Sequence, residues 1–154
     1  VAAFTGAHGI ANGLDAVLDA ARVLQERGRN DIVLAFIGDG KLKPHLIKRA
    51  RSEGLNNCRF FDPMPKNRLN YISSGLPVIN NYPGWLADMI REHRCGLAVP
   101  PRDPEAFADA LCRLADNPEL RREYGKNARR LAKQAFSREK LSNRFADFLE
   151  MNGS

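Results

Sequence analysis

DIVLAFIGDG, residues 31–40, runs from an acidic residue through six consecutive apolar positions into a Gly-Asp-Gly turn. Six residues are too few for a globular helix, and β-branched side chains with a glycine stop predict a strand buried on both faces. Such a strand belongs in a parallel sheet covered by helices. Reading outward, the same alternation recurs: a strand over Val1 to Thr5, a helix from Gly13 to Arg27, a strand over Ile32 to Ile37, a helix from Leu42 to Glu53 and a strand over Cys58 to Phe61. Beyond these come a strand over Pro77 to Asn80, a short helix in WLADMIREH, a strand in CGLAVP, a helix in PEAFADALCRLAD opened by Asp103 and Pro104, and two closing helices. Pro104 and Pro118 suit first-turn positions, where the missing N–H costs nothing. The fold class predicted is α/β, a Rossmann-like doubly wound parallel sheet.

One place breaks the rhythm. PKNRLNYISSGLPV (65–78) starts like a helix, yet YISSGLP reads as the end of one, with Gly75 as its stop. A complete βαβ unit across this point needs roughly 30 more residues, so a segment is expected to be missing between Asn70 and Tyr71. The 154 residues, 44% hydrophobic, suit one domain. The start at Val1, already inside an apolar run and with no signal-peptide pattern, is read as a piece of a longer protein. No apolar run approaches spanning length, which predicts a soluble chain. Cys58, Cys95 and Cys112 are odd in number and lack metal-ligand spacing, which fits a reducing compartment and no metal site.

Lys and Arg total 24 against 18 acids, a net charge of +6. The basic residues gather in KLKPHLIKRAR (41–51) and RREYGKNARRLAKQAFSREK (121–140), each with an apolar helical stripe, so the charges are expected on solvated outer faces. A basic nucleic-acid-binding module is the competing reading; without interleaved aromatic residues no nucleic-acid partner is expected.

FTGAHGIANGLD (4–15) carries the candidate chemistry. Its glycines sit where a strand hands over to a helix, and a helix start offers unpaired N–H groups and partial positive charge to an anion. Asn12 with Asp15 reads as a helix cap. Asp39 is read as a turn residue, His45 and His93 as solvated, and Trp85 as packed against the sheet.

Taken together, FTGAHGIANGLDAVLDAA, LAFIGDGKLKPHL, NCRFFDPMPK, YISSGLPVINNYPGW and CGLAVPPRDPEAFADAL resemble, in order and, apart from the break at 70/71, in spacing, the carboxyl-terminal domain of family 4 (group 1) glycosyltransferases. These are sugar-nucleotide enzymes with two facing Rossmann-like domains, the GT-B architecture. The resemblance covers essentially the whole chain. It implies that residues 1–154 are the donor-binding domain, that an amino-terminal domain of the same enzyme is absent, and that the isolated domain is inactive. The implied reaction is retaining, metal-independent transfer from a nucleotide sugar, a UDP-sugar, with no cofactor, in bacterial surface polysaccharide or lipopolysaccharide synthesis. A nucleotide-sugar epimerase of the same architecture is the alternative. The implied location is cytoplasmic, peripheral at the inner membrane face, with a lipid-linked acceptor.

Carried over by position, Gly6, His8, Gly9, Asn12 and Gly13 would face the diphosphate, and Met64 would lie beside the base. Asp62 and Pro65 share that third-strand loop; Lys41 and Arg68 are the candidate cations. Many members of the family have arginine after the first-loop glycine and lysine before the helix glycine, where this chain has Ala7 and Asn12. The family's acidic pair would fall at the break, its second member at Asn70. No catalytic residue is assigned.

Overall fold

The computed structural model describes residues 1–9, 13–63 and 75–135. Within them the elements are β1 (Ala2–Thr5), α1 (Leu14–Glu26), β2 (Leu34–Ile37), α2 (Lys43–Ser52), β3 (Cys58–Phe61), β4 (Val78–Asn80), α3 (Trp85–Glu92), β5 (Gly96–Ala98), α4 (Pro104–Asp116) and α5 (Pro118–Ala135). The alternation read from the sequence is therefore present, with ends that differ by one or two residues. The break at 70/71, and the second closing helix after α5, lie outside the described residues.

All strand pairing among the described residues is parallel. β1, β2 and β3 form a three-stranded sheet in that order, and β4 pairs with β5 in a separate two-stranded sheet. One continuous doubly wound sheet is thus seen as two parallel ladders among the described residues. The register aligns Phe4 with Phe36 and Phe36 with Phe60, so one row of phenylalanines crosses the first sheet near its carboxyl edge. Phe36 and Phe60 stack with ring centroids 4.8 Å apart. Leu34, Ala35 and Phe36 are all buried, as a central strand with two covered faces requires.

The larger core gathers Leu14, Leu18 and Leu24 of α1, Leu34 and Phe36 of β2, Leu46 and Ala50 of α2, and Ala108 and Leu111 of α4. A smaller cluster joins Ile90 and Cys95 to Ala128 and Leu131 of α5. Because α4 packs on α1, the two ladders share one interior. Polar contacts at that seam reinforce it: Arg27 bonds Glu105 and Asp109, and Arg29 bonds Asp116 at 2.8 and 2.9 Å. The cap at α4 forms as its sequence predicts, with Asp103 accepting from the Ala106 N–H at 2.8 Å and Pro104 in the first turn. At α2, Arg49 binds Asp15 (2.9 Å), Asp19 and Glu53 (2.6 Å), tying α2 to α1.

Candidate functional site

The loops that follow β1 and β2 do not part at the strand ends. The Gly6 N–H donates to the Ile37 carbonyl at 3.0 Å, the His8 N–H to Asp39 at 2.8 Å, and the Leu42 N–H back to the His8 carbonyl at 3.0 Å. On the other side the Gly38 N–H donates to Phe61 at 3.2 Å. The two turns are thus zipped backbone to backbone. Gly38, at φ +149°, makes this contact, because a Cβ there would strike the Gly6 carbonyl oxygen. At Gly40 a Cβ would stand 2.7 Å from the His8 carbonyl oxygen. Asp39 keeps the turn role expected of it: its carboxylate accepts from the Gly40 N–H at 2.8 Å.

Inside this zipper lies His8, with no exposed surface. Its ring packs against Phe4, centroids 5.9 Å apart, and edge-on to Phe36 at 6.5 Å. Neither ring nitrogen has a hydrogen-bond partner among the described residues. Burial holds its pKa below the ordinary value, the Lys43 charge pushes the same way, and Asp39 opposes both. The imidazole is therefore neutral at pH 7, and the part of His8 that edges the loop is its main chain.

Gly13 is the N-cap residue of α1, in the left-handed conformation (φ 54°, ψ 32°) and without a side-chain cap bond. This corrects the expected cap in part. Asn12 lies outside the described residues, and the Asp15 carboxylate is turned to Arg49 and, at 3.3 Å, to His45, so it does not reach back. Among the described residues the Leu14 and Asp15 N–H groups have no acceptor. A helix start whose first amides have no acceptor among the described residues thus stands just beyond the carboxyl end of β1, where ligands of parallel α/β sheets gather.

Of the other residues marked from sequence, Gly9 has open space around it, Lys41 is exposed ahead of α2, and Asp62 is exposed at the end of β3. Met64, Pro65 and Arg68 lie outside the described residues. His45 is exposed as expected, and His93 is the half-buried C-cap of α3. Trp85 overturns its expectation: it opens α3 but is 71% exposed, because the helix buries Ala87 and Ile90 while its first residue projects beyond the strands.

Two positions beside the candidate site escaped the sequence reading. Lys43, whose side chain is only 14% exposed, donates to the Phe61 carbonyl at 3.1 Å and to Asp62 at 3.0 Å, fastening the start of α2 to the end of β3. A lysine in the first turn opposes the helix dipole, and that misfit was a readable sign of a local partner. Tyr82, after β4, sets its hydroxyl against Gly13, where any Cβ would collide with it. Desolvation pushes the Tyr82 pKa up, so the hydroxyl stays neutral. Nothing in local sequence signals that contact.

Among the described residues no group of three or more His, Cys, Asp or Glu side chains is arranged to hold a metal ion, and no helix is long and apolar enough to cross a membrane. The three cysteines are free, and burial pushes the Cys58 thiol up to about 11, leaving it unreactive.

Comparison with known proteins completes the picture. Residues 62–131 match the model of glycosyl transferases group 1. The O-antigen chain mannosyltransferase C of Escherichia coli is 26% identical over 172 residues, covering 94% of this chain and 44% of that protein. D-rhamnosyltransferase WbpZ of Pseudomonas aeruginosa is 27% identical over 161 residues, covering 87% of this chain and 41% of that protein. The chain thus spans less than half the length of these relatives. Among solved structures, a TarM variant of S. aureus in complex with Fondaparinux, alpha-GlcNAc-glycerol and UDP superposes with a TM-score of 0.83 at 17% identity, covering 95% of this chain and 34% of that one. Fold, family model and relatives point the same way: the chain has the α/β fold of one half of the GT-B architecture, and over residues 62–131 it is similar to the group 1 glycosyltransferases.

Proposed function

We propose that this chain is the donor-binding part of a retaining, metal-independent glycosyltransferase that uses a UDP-sugar in bacterial surface polysaccharide synthesis. The observation that carries the reading is the start of α1 at the carboxyl end of β1, where the Leu14 and Asp15 amides have no acceptor among the described residues. The likeness to a UDP complex supports the nucleotide, and the O-antigen mannosyltransferase supports the pathway class.

In this reading the diphosphate rests on the Leu14 and Asp15 amides, with the main chain of His8 and Gly9 beside it. Bond breaking builds negative charge on the diphosphate oxygens. Amides already fixed in place stabilise that charge more than they stabilise the bound donor, which lowers the barrier. Because Ala7 and Asn12 stand where the family resemblance leads one to expect cations, Lys41 and Arg68 supply the neutralising charge. His8, neutral and enclosed, supports the loop through its ring and meets the donor only through its backbone. No general base is assigned.

The alignment to the mannosyltransferase runs over 172 residues, more than the 154 of the whole chain, so that relative carries residues with no counterpart here. This is in keeping with a segment missing from this chain relative to that protein, which the sequence reading places between Asn70 and Tyr71. Acceptor contacts, including those to a lipid-linked acceptor at an anionic membrane face, belong to the rest of the enzyme. Calorimetry on the full-length protein with uridine and guanosine diphosphates, with and without a chelator, tests the reading. Saturable heat with uridine diphosphate that survives the chelator is expected; no heat with either nucleotide overturns the reading. Product analysis without acceptor decides against an epimerase if the sugar nucleotide returns unchanged.

A further inference from the structure

Tyr82 is set against the start of α1 from the other ladder of the fold. Asn80, which ends β4 and is 6% exposed, donates its side-chain amide to the Tyr82 carbonyl at 2.6 Å, fixing the loop that carries the ring. Across the gap, a Cβ on Gly13 would collide with the Tyr82 hydroxyl and stand 3.2 Å from its Cζ. Gly13 has no capping side chain, and Tyr82 occupies the space that one would need. The left-handed backbone at Gly13 and the ring over it are therefore one arrangement built from two distant segments.

We infer that Tyr82 is a positioning residue for the nucleotide donor: through Gly13 it holds the first turn of α1 at the angle from which the Leu14 and Asp15 amides meet the diphosphate. The inference rests on the proposed function and adds to it a determinant outside the glycine loop. Its action is steric, exerted by the hydroxyl and by the Cζ end of the ring that carries it. It follows that loss of the hydroxyl should loosen the contact and loss of the ring should abolish it, and that a side chain added at Gly13 should act through the same contact.

The test measures uridine diphosphate affinity by calorimetry on the full-length protein, alongside urea unfolding. Tyr82→Ala is expected to weaken binding about tenfold, as small misplacements of a binding group do, while Tyr82→Phe, which keeps the ring, loses a smaller factor. Gly13→Ala should weaken binding by a similar factor to Tyr82→Ala, and combining the two should cost less than their product, because Tyr82→Ala removes the atoms that the added methyl would strike. If Tyr82→Ala does not fold, Tyr82→Leu serves in its place. Unchanged affinity in a folded Tyr82→Ala or Tyr82→Leu variant overturns the inference, as does a larger loss in Tyr82→Phe than in Tyr82→Ala. Strictly multiplicative losses overturn it too. Absence of binding by wild type instead removes the parent reading, and the inference with it.

Discussion

The two ladders close their carboxyl ends in opposite ways. After β1 and β2, backbone packs on backbone, with Gly6 against Gly38 and His8 against Gly40, and the one ring inside, that of His8, is wholly enclosed. After β4, the rim carries Tyr82 and Trp85, 40% and 71% exposed. The family match, 62–131, falls in the second region, whereas the uncapped start of α1 stands in the first. Family likeness and candidate chemistry are thus carried by different stretches of chain, and the α1–α4 seam together with the Tyr82 contact is what makes them one molecule.

The hardest blow to this comparison would come at Phe36. Phe36→Ala removes the ring on which Phe60 and His8 pack and should cost about 3–5 kcal/mol in urea unfolding. Ile90→Ala, in the smaller cluster, should cost about 2–3 kcal/mol in the same single transition, because Ala108 and Leu111 bind α4 into the larger core. A second, separate transition would show that the ladders are independent units.

Next in size is Gly38→Ala, expected to cost about 3 kcal/mol, since it adds both a backbone collision and a strained φ. Gly28→Ala, also left-handed but with open space around it, should cost about 1 kcal/mol. The difference between the two measures what the zipper requires beyond conformation alone.

Smaller again is a pH effect confined to the first region. The folded pKa of His8 lies below its ordinary value of 6.5, so the unfolded chain takes up a proton that the folded one refuses. Stability from this source is fully present above pH 6.5 and is lost as pH falls below it, down to the folded pKa. His8→Leu should flatten that part of the pH profile of the unfolding midpoint; an unchanged slope would mean that the ring is not enclosed in solution. Least of all, Trp85→Ala should change stability by no more than about 0.5 kcal/mol, as exposed sites do.

Much of the fold was legible because its signals are local. The apolar run at 32–37 became a strand with both faces covered, and Asp103 with Pro104 started α4 where cap chemistry says a helix starts. The site was legible only by halves. Glycines 6, 38 and 40 announce close approach, but not what approaches: here it is a neighbouring loop, more than thirty residues away in the chain for Gly6 and Gly38. Trp85 misled because its type favours burial while its place, the first residue of an eight-residue helix, leaves nothing to cover it. Tyr82 was silent because its meaning depends on Gly13, a partner that no periodicity connects to it.

The zipped turns also bear on hydrogen exchange. The amides of Gly6, His8 and Gly38 lie beyond the ends of their strands, yet each is bonded to a carbonyl of the adjacent chain. They should exchange with solvent deuterium as slowly as the central strand does, opening only when the sheet itself opens, so that in a time course this glycine-rich edge would be counted with the interior rather than with the loops.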